Sequence, residues 1–291
     1  MGNAGHIPTV DICNLSEVRD ENILVSRFAS YLQVHHKLHL AHRHSFYHLL
    51  LFTKGSGTHT IDFSTFPVKP NQIYFMIPGQ VHSWNFEGDV DGYVVNFSTS
   101  FFQSFLLRPD YLETFSFFNG QAEDSVIDLP TELQQPIIRL FEEIVGHSAQ
   151  NNAFRYDLIR VLLLQVFLEI DKHTYAHKHS AVPSFNYTLL KNFQKLVDKH
   201  YISLKRPMDY AELLYITPNH LNALCKEHLG ITAGEVIRNR VLLEAKRMLV
   251  NQNLSISEIS YDLNFNDNSY FTKFFKKYVG ITPEEFRKKS L

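Results

Sequence analysis

The chain of 291 residues is 44% hydrophobic and 20% charged, the balance of an ordinary globular protein with a sizeable core and room for two domains. Two distant cysteines, Cys13 and Cys225, exclude a disulfide framework and a Cys-x-x-Cys metal site, so a reducing compartment is expected. The net charge of −2 conceals an asymmetry: residues 185–291 carry 16 Lys and Arg against 11 Asp and Glu, whereas residues 1–184 carry 12 against 19. A basic C-terminal third on an acidic body points to a polyanion-binding module, although a difference of this size is also common on solvated helical surfaces.

The first residues, "MGNAGHIPTVDICNLSEVRD", hold no basic segment followed by an apolar one, so no signal peptide is expected. From about residue 23 to 98 the chain alternates and turns like β-structure. Within it, "HRHSFYH" (42–48) sets His42, His44 and His48 at even spacings, which on one strand places three imidazoles on a common face. The runs on either side of "KGSG" read as strands, "PVKPN" breaks the chain, and "QIYFMI" is another strand. "PGQ" is a tight turn before His82, and "GYVVNF" (92–97) is a further apolar run. Short strands at this spacing predict a sandwich or barrel.

After Pro130 the period changes. Leu133, Ile137, Leu140, Phe141, Ile144 and Val145 recur at steps of three and four, which predicts an amphipathic helix. "AFRYDLIRVLLLQVFLEIDKH" predicts a second helix, apolar over most of its circumference. Such a helix is buried all round, either in the core of one chain or with one face in a dimer interface. Its most apolar run, "VLLLQVFLEI" (161–170), is too short to span a bilayer. Residues 172–184, "KHTYAHKHSAVPS", lack periodicity and are expected to form an interdomain linker.

The last third contains a repeat. "LNALCKEHLGITAGEV" (221–236) and "FTKFFKKYVGITPEEF" (271–286) match at an offset of 50 in Lys226/Lys276, the Gly-Ile-Thr triplets and Glu235/Glu285, and in five apolar positions. Gly230 and Gly280 stand where a helix stops in the left-handed conformation. Thr232 and Thr282 then open new helices, each with Glu three residues on, the capping-box spacing. Thr217 and Asp267 suit the caps of the helices that end at the two glycines. A shorter helix precedes each, "DYAELLY" (209–215) and "SISEISYDL" (255–263), so the unit is a helix-turn-helix, present twice. The second turn, "LNFNDNS", is one residue longer than the first, and Asn264 suits a bend with positive φ.

Two such units joined by one helix can place two recognition helices in successive major-groove segments. In the first, Leu221, Leu224 and Cys225 form the apolar face, with Cys225 expected as a small core residue, and Asn219, His220, Asn222, Ala223 and Lys226 face outward. In the second, Phe271, Phe274 and Phe275 are apolar, and Asn268, Ser269, Thr272, Lys273 and Lys276 face outward. Asn pairs with adenine, and Lys with guanine or phosphate.

"ISEISYDLNFNDNSYFTKFFKKYVGITPEEFRK" resembles the signature of the AraC/XylS family of bacterial transcription regulators, and the resemblance extends over about residues 187–290. The family usually has Gly where Asn264 stands, Ala where Ser260 stands, and often a large side chain where Ala223 stands. The N-terminal stretch resembles the family's cupin-type sensor barrel. His42, His44 and His82 fall where metallocupins hold three histidines, but the position of their glutamate is His48 here.

The resemblance implies an α+β fold of two domains. A cupin-like β-barrel with following helices spans 1–171, a linker 172–184, and an all-α DNA-binding domain with two helix-turn-helix units 185–291. The barrel is expected to bind a small sugar-like or aromatic effector through His42, His44, Phe46, His48, His82 and Trp84. The alternative is a metal-binding barrel with sensory or enzymatic chemistry. The missing carboxylate, and the histidines scattered outside the motif (His35, His36, His39, His59, His177, His179), favour the effector and no metal or cofactor. The implied partners are double-stranded promoter DNA, the effector, RNA polymerase and a second copy of the chain. No membrane partner and no catalytic residue are expected, and the implied location is the bacterial cytoplasm.

Overall fold

A computed structural model of the chain describes residues 8–15, 22–35, 38, 40–103, 105–106, 111–178, 185–250 and 254–289. The chain divides into two compact units, Ile7–Ser180 and Ala181–Leu291.

The first unit carries β1 (Thr9–Val10), β2 (Ile23–Arg27), β3 (His42–His44), β4 (Tyr47–Lys54), β5 (Gly57–Ile61), β6 (Ser64–Pro67), β7 (Gln72–Met76), β8 (Val81–Phe86), β9 (Asp91–Phe97) and β10 (Val126–Asp128). Its helices are α1 (Phe28–Val34), α2 (Ser100–Gln103), α3 (Ala122–Ser125), α4 (Thr131–Ser148) and α5 (Arg155–Lys178). The strands form two five-stranded sheets, ordered β1-β3-β8-β5-β6 and β10-β7-β4-β9-β2. The strands flanking "KGSG" do not pair with each other: β4 lies between β7 and β9, and β5 between β6 and β8.

The second sheet is buried on both faces, which is why β4 and β9 lack the alternation of a half-exposed strand. Leu50, Phe52, Tyr74 and Val94 turn inward, toward Phe28, Ile61 and Trp84. Leu49, Leu51, Phe75 and Val95 turn outward, into a core built with Ile137 and Phe141 of α4 and Leu163 and Phe167 of α5. The predicted stripe of α4 is the buried one, with Leu133, Ile137, Leu140, Phe141 and Ile144 all inside.

Helix α5 differs from expectation in two ways. It runs on to Lys178, so the first seven residues assigned to the linker are helical, while 179–184 lie outside the described residues. Its periodicity fades there because Ile170 is the last buried apolar residue among its described side chains. The helix is also not buried all round. Ile159, Leu163, Val166, Phe167 and Ile170 face the core, whereas Leu158, Val161 and Leu168, with Phe154 just before the helix, are exposed.

The second unit has seven helices among the described residues: α6 (Phe185–His200), α7 (Pro207–Leu213), α8 (Pro218–Leu229), α9 (Ala233–Leu249), α10 (Ile256–Asp262), α11 (Asn268–Val279) and α12 (Pro283–Lys289). They surround two small cores threaded by α9. Ala233 and Ile237 pack with Phe193, Tyr210, Leu221 and Cys225. Val241, Leu242, Ala245 and Leu249 pack with Ile259, Leu263, Phe271 and Phe275. Burial pushes the Cys225 thiol up to about 11, so it is an inert core residue.

The expected caps are all formed. Thr232 with Glu235 and Ser255 with Glu258 make reciprocal capping boxes. Thr282 and Glu285 exchange the same pair of bonds, and Gly230 and Gly280 are left-handed, with φ of 71° and 88°. One fastening is not visible in the sequence. The Lys205 ammonium donates to the carbonyls of Leu263 and Asn264 and sits 4.0 Å from the centre of the Phe265 ring. Burial lowers its pKa to about 8, which leaves it largely charged at neutral pH.

Candidate functional site

The two helices expected to read DNA are α8 and α11. Thr217 caps α8 by accepting from the His220 amide at 3.2 Å, and Leu221, Leu224 and Cys225 anchor its inner face. Asn219, His220, Ala223 and Lys226 are exposed. Asn222 is not free in the same way. It is half-buried, and its Oδ1 accepts from the Ala233 amide at 3.0 Å, tying α8 to the start of α9.

Asp267 caps α11 through bonds from the Ser269 and Tyr270 amides at 3.1 and 3.2 Å. Phe271 and Phe275 are buried and Phe274 is half-buried. Ser269, Lys273 and Lys276 are exposed, Thr272 is half-buried, and half-buried Asn268 donates to Ser257 Oγ at 3.1 Å. Tyr270, 63% exposed on the same helix, was absent from the expected set. An aromatic next to a phenylalanine reads as core in a sequence, and only the helical rotation turns it outward.

The two turns are closer in shape than in sequence. The Ile216 amide bonds to the Ala211 carbonyl at 3.0 Å, and the Phe265 amide to Ser260 at 2.9 Å. Asn264 has φ 56°, as its residue type suggested, and Tyr215 stands at the same place with φ 55°. The extra residue of the second turn is Asn266, between Phe265 and the cap Asp267. A tyrosine at positive φ is strained, and Tyr215 is 96% exposed, so no packing offsets the strain. Tyr215→Gly is therefore expected to stabilise the C-terminal unit by about 0.5–1 kcal/mol. An unchanged or lower unfolding midpoint in denaturant would contradict this.

The second cluster of expected site residues lies between the two sheets of the first unit. His42 and His44 belong to β3, but His48 belongs to β4 in the opposite sheet. The expectation of three imidazoles on one strand face is thus corrected: the chain crosses between sheets at Ser45 and Phe46, and the rings meet across the interior. His42 pairs in register with His82 of β8. His59 of β5, set aside in the sequence as one of the scattered histidines, joins them: its Nε2 lies 3.1 Å from His82 Nδ1. All five imidazoles are buried. Phe46 stacks on His44 with centroids 4.4 Å apart, and the Trp84 ring lies 5.0 Å from His82. The six residues expected to line the pocket are therefore together. Of the other histidines, His35 is half-buried, and His36, His39, His179 and the side chain of His177 lie outside the described residues.

Burial holds these imidazoles uncharged. It pulls His42 down to about 4 and His48 to about 3, and lowers His44, His59 and His82 far below the usual range, with the neighbouring imidazoles adding to the shift. His44 Nδ1, His48 Nε2, His59 Nδ1, His82 Nε2 and Trp84 Nε1 have no hydrogen-bond partner among the described residues. Buried polar atoms normally find one, in the protein or in ordered water.

Comparison with known proteins agrees with both halves. A model of the AraC-like ligand binding domain matches residues 28–168, and a model of the helix-turn-helix domain matches residues 210–289. The HTH-type transcriptional regulator YfiF of Bacillus subtilis is 26% identical over 261 residues, covering 85% of this chain and 78% of its own. The HTH-type transcriptional activator RhaR of Escherichia coli K12 is 22% identical over 249 residues, covering 84% and 86%. Among solved structures, unsaturated fatty acid-bound ToxT of Vibrio cholerae aligns over 94% of this chain and 97% of its own, with 12% identity and a TM-score of 0.45. No helix among the described residues is long and apolar enough to cross a membrane. With a ligand-binding unit ahead of a duplicated helix-turn-helix, the chain belongs to the AraC family of transcriptional regulators.

Proposed function

We propose that the protein reads promoter DNA through α8 and α11, as a homodimer in the bacterial cytoplasm, and passes a signal from its barrel to transcription by RNA polymerase. The role is binding, not catalysis. The observation that carries it is the pair of recognition helices, each capped at its N-terminus and each turning a polar, partly basic face to solvent. On α8 the reading side chains are Asn219, His220 and Lys226, with Ala223 leaving room for a base edge. On α11 they are Ser269, Lys273 and Lys276, with Asn268 and Thr272 at the margin. Asn222 supports α8 through its bond to Ala233.

Removal of both Lys273 and Lys276 as alanines is expected to weaken binding to an operator found by genome-wide mapping by about 10–100-fold. It is also expected to flatten the dependence of log K on log salt by about two units, as two phosphate contacts are lost. Wild-type affinity with a wild-type salt slope would remove α11 from the interface.

The proposed sensing site is the barrel interior, where His42, His44, Phe46, His48, His82 and Trp84 converge. The proposed dimer seam is the uncovered side of α5. Phe154, Leu158, Val161, Gln165, Leu168 and Lys172 recur at alternating steps of four and three, the spacing that keeps one stripe facing a partner helix. A second copy supplies the same stripe, so the contact is self-complementary.

A further inference from the structure

We propose that the histidine cluster inside the barrel holds one divalent transition-metal ion of the zinc class, with His42, His44 and His82 as ligands and His48 supplying a fourth nitrogen. This deepens, and rests on, the reading of the barrel as the sensing site.

The argument starts from which nitrogen each ring can offer. His42 Nδ1 lies 2.8 Å from the Leu40 carbonyl, which only accepts, so Nδ1 carries the proton and Nε2 presents a lone pair. His48 Nδ1 lies 2.6 Å from Asn96 Oδ1, with the same consequence for its Nε2. His82 Nδ1 lies 3.1 Å from His59 Nε2, and in the tautomer in which it donates there His82 Nε2, buried and without a hydrogen-bond partner among the described residues, keeps its lone pair. Three rings thus have Nδ1 engaged by another group, while Nε2 of His48 and of His82 has no partner among the described residues and Nε2 of His42 meets only His44. That is the arrangement of metal-ligating histidines, whose second nitrogen is fixed by an outer group.

Distances agree. Each of His42, His44 and His82 offers a nitrogen within 4.8 Å of the others. His44 Nε2 donates to His42 Nε2 at 2.9 Å, and moving that proton to the unpartnered His44 Nδ1 frees both Nε2 lone pairs for an ion. Around one tetrahedral zinc, such nitrogens stand about 3.3 Å apart, so small ring rotations close the set. The His48 ring lies 4.8 Å from His44 and 5.4 Å from His82. The cluster contains no carboxylate and no thiolate among the described residues. An all-imidazole set suits Zn2+, Cu2+ or Ni2+ and is wrong for Mg2+ or Ca2+. The expectation of no metal rested on His48 standing in place of a carboxylate, but its Nε2 is itself a donor without a partner. An ion held by His42, His44 and His82 meets the unpartnered His82 Nε2, and the neighbouring His48 ring, whose Nε2 also lacks a partner, adds its nitrogen by turning toward the ion.

The test uses the full, untagged chain, stripped with chelator and titrated with Zn2+ or Co2+ alone. One Zn2+ per chain is expected. His44→Gln and His82→Gln should each weaken binding by at least about 100-fold, and Asn96→Ala, which frees His48 from its outer partner, by about 10–100-fold. His200→Gln, on α6, should leave the stoichiometry at one. Failure to bind, or binding indifferent to both His44→Gln and His82→Gln, overturns the assignment. Should those variants not fold, the Co2+ spectrum of the unaltered chain decides. Intense visible bands of a four-coordinate nitrogen site support the proposal, and the weak bands of six-coordinate cobalt overturn it. DNA affinity with and without Zn2+ tests the sensing role separately. Stoichiometric zinc with unchanged DNA affinity leaves the metal site standing and removes the barrel as its sensor.

Discussion

Phe271→Ala is expected to unfold the second helix-turn-helix unit while leaving the first in place. Phe271 is fully buried in a core of nine buried residues among those described, where Phe265 and Phe275 pack their rings 5.2 and 6.0 Å from it. Truncating a buried phenylalanine typically costs about 3–5 kcal/mol, the lost transfer energy plus the cavity. A core this small has little reserve. The first unit has its own buried set, with Leu190, Phe193, Val197, Tyr210, Leu221 and Ile237. Hydrogen exchange should therefore lose protection in α10–α12 and keep it in α7 and α8, and DNA affinity should fall to that of one recognition helix. Uniform loss of protection across both units would show that α9 couples them into one cooperative core. Wild-type protection would show that the site repacks.

Val161→Glu combined with Leu168→Glu is expected to convert a dimer into a monomer. Both side chains are about half exposed in the single chain, at 52% and 50%, so the change costs the monomer little. In a two-fold seam it places four carboxylates in an apolar strip, and burying unpaired charge is expensive. The dimer should weaken by at least about 100-fold, or about 2.7 kcal/mol, in sedimentation equilibrium. A monomeric wild type, or a double variant that still dimerises, removes α5 as the interface.

The parts of this fold that could be read without coordinates are those set within a few residues. Thr232 and Glu235, or Ser255 and Glu258, interact across one helical turn, so their spacing is sufficient evidence for the cap. Gly230 and Gly280 mark helix ends for an equally local reason, and Asn264 marked the bend. Tyr215 could not be read that way. Nothing about a tyrosine announces positive φ, and the position is legible only by superposing the two turns.

The site was legible in proportion to how local it was. The outer faces of α8 and α11 follow from the helical period, yet Asn222 could be placed on its bond to Ala233 only once the turn into α9 was known. The barrel was less legible. "HRHSFYH" has the spacing of a strand face, but β3 ends at His44 and β4 starts at Tyr47 in the other sheet. His59, 11 residues beyond His48, carries no mark that separates it from a surface histidine.

What the sequence determined by itself was the duplicated helix-turn-helix, because its caps, glycines and apolar periods are short-range and each implies the next. What only the tertiary structure decided was the barrel interior. Which strands share a sheet is a matter of pairing between residues far apart in the chain, as between His42 and His82 or His48 and Asn96. Those pairings bring five imidazoles into one buried space, and that burial keeps them neutral and leaves one nitrogen each of His44, His48, His59 and His82 without a hydrogen-bond partner among the described residues.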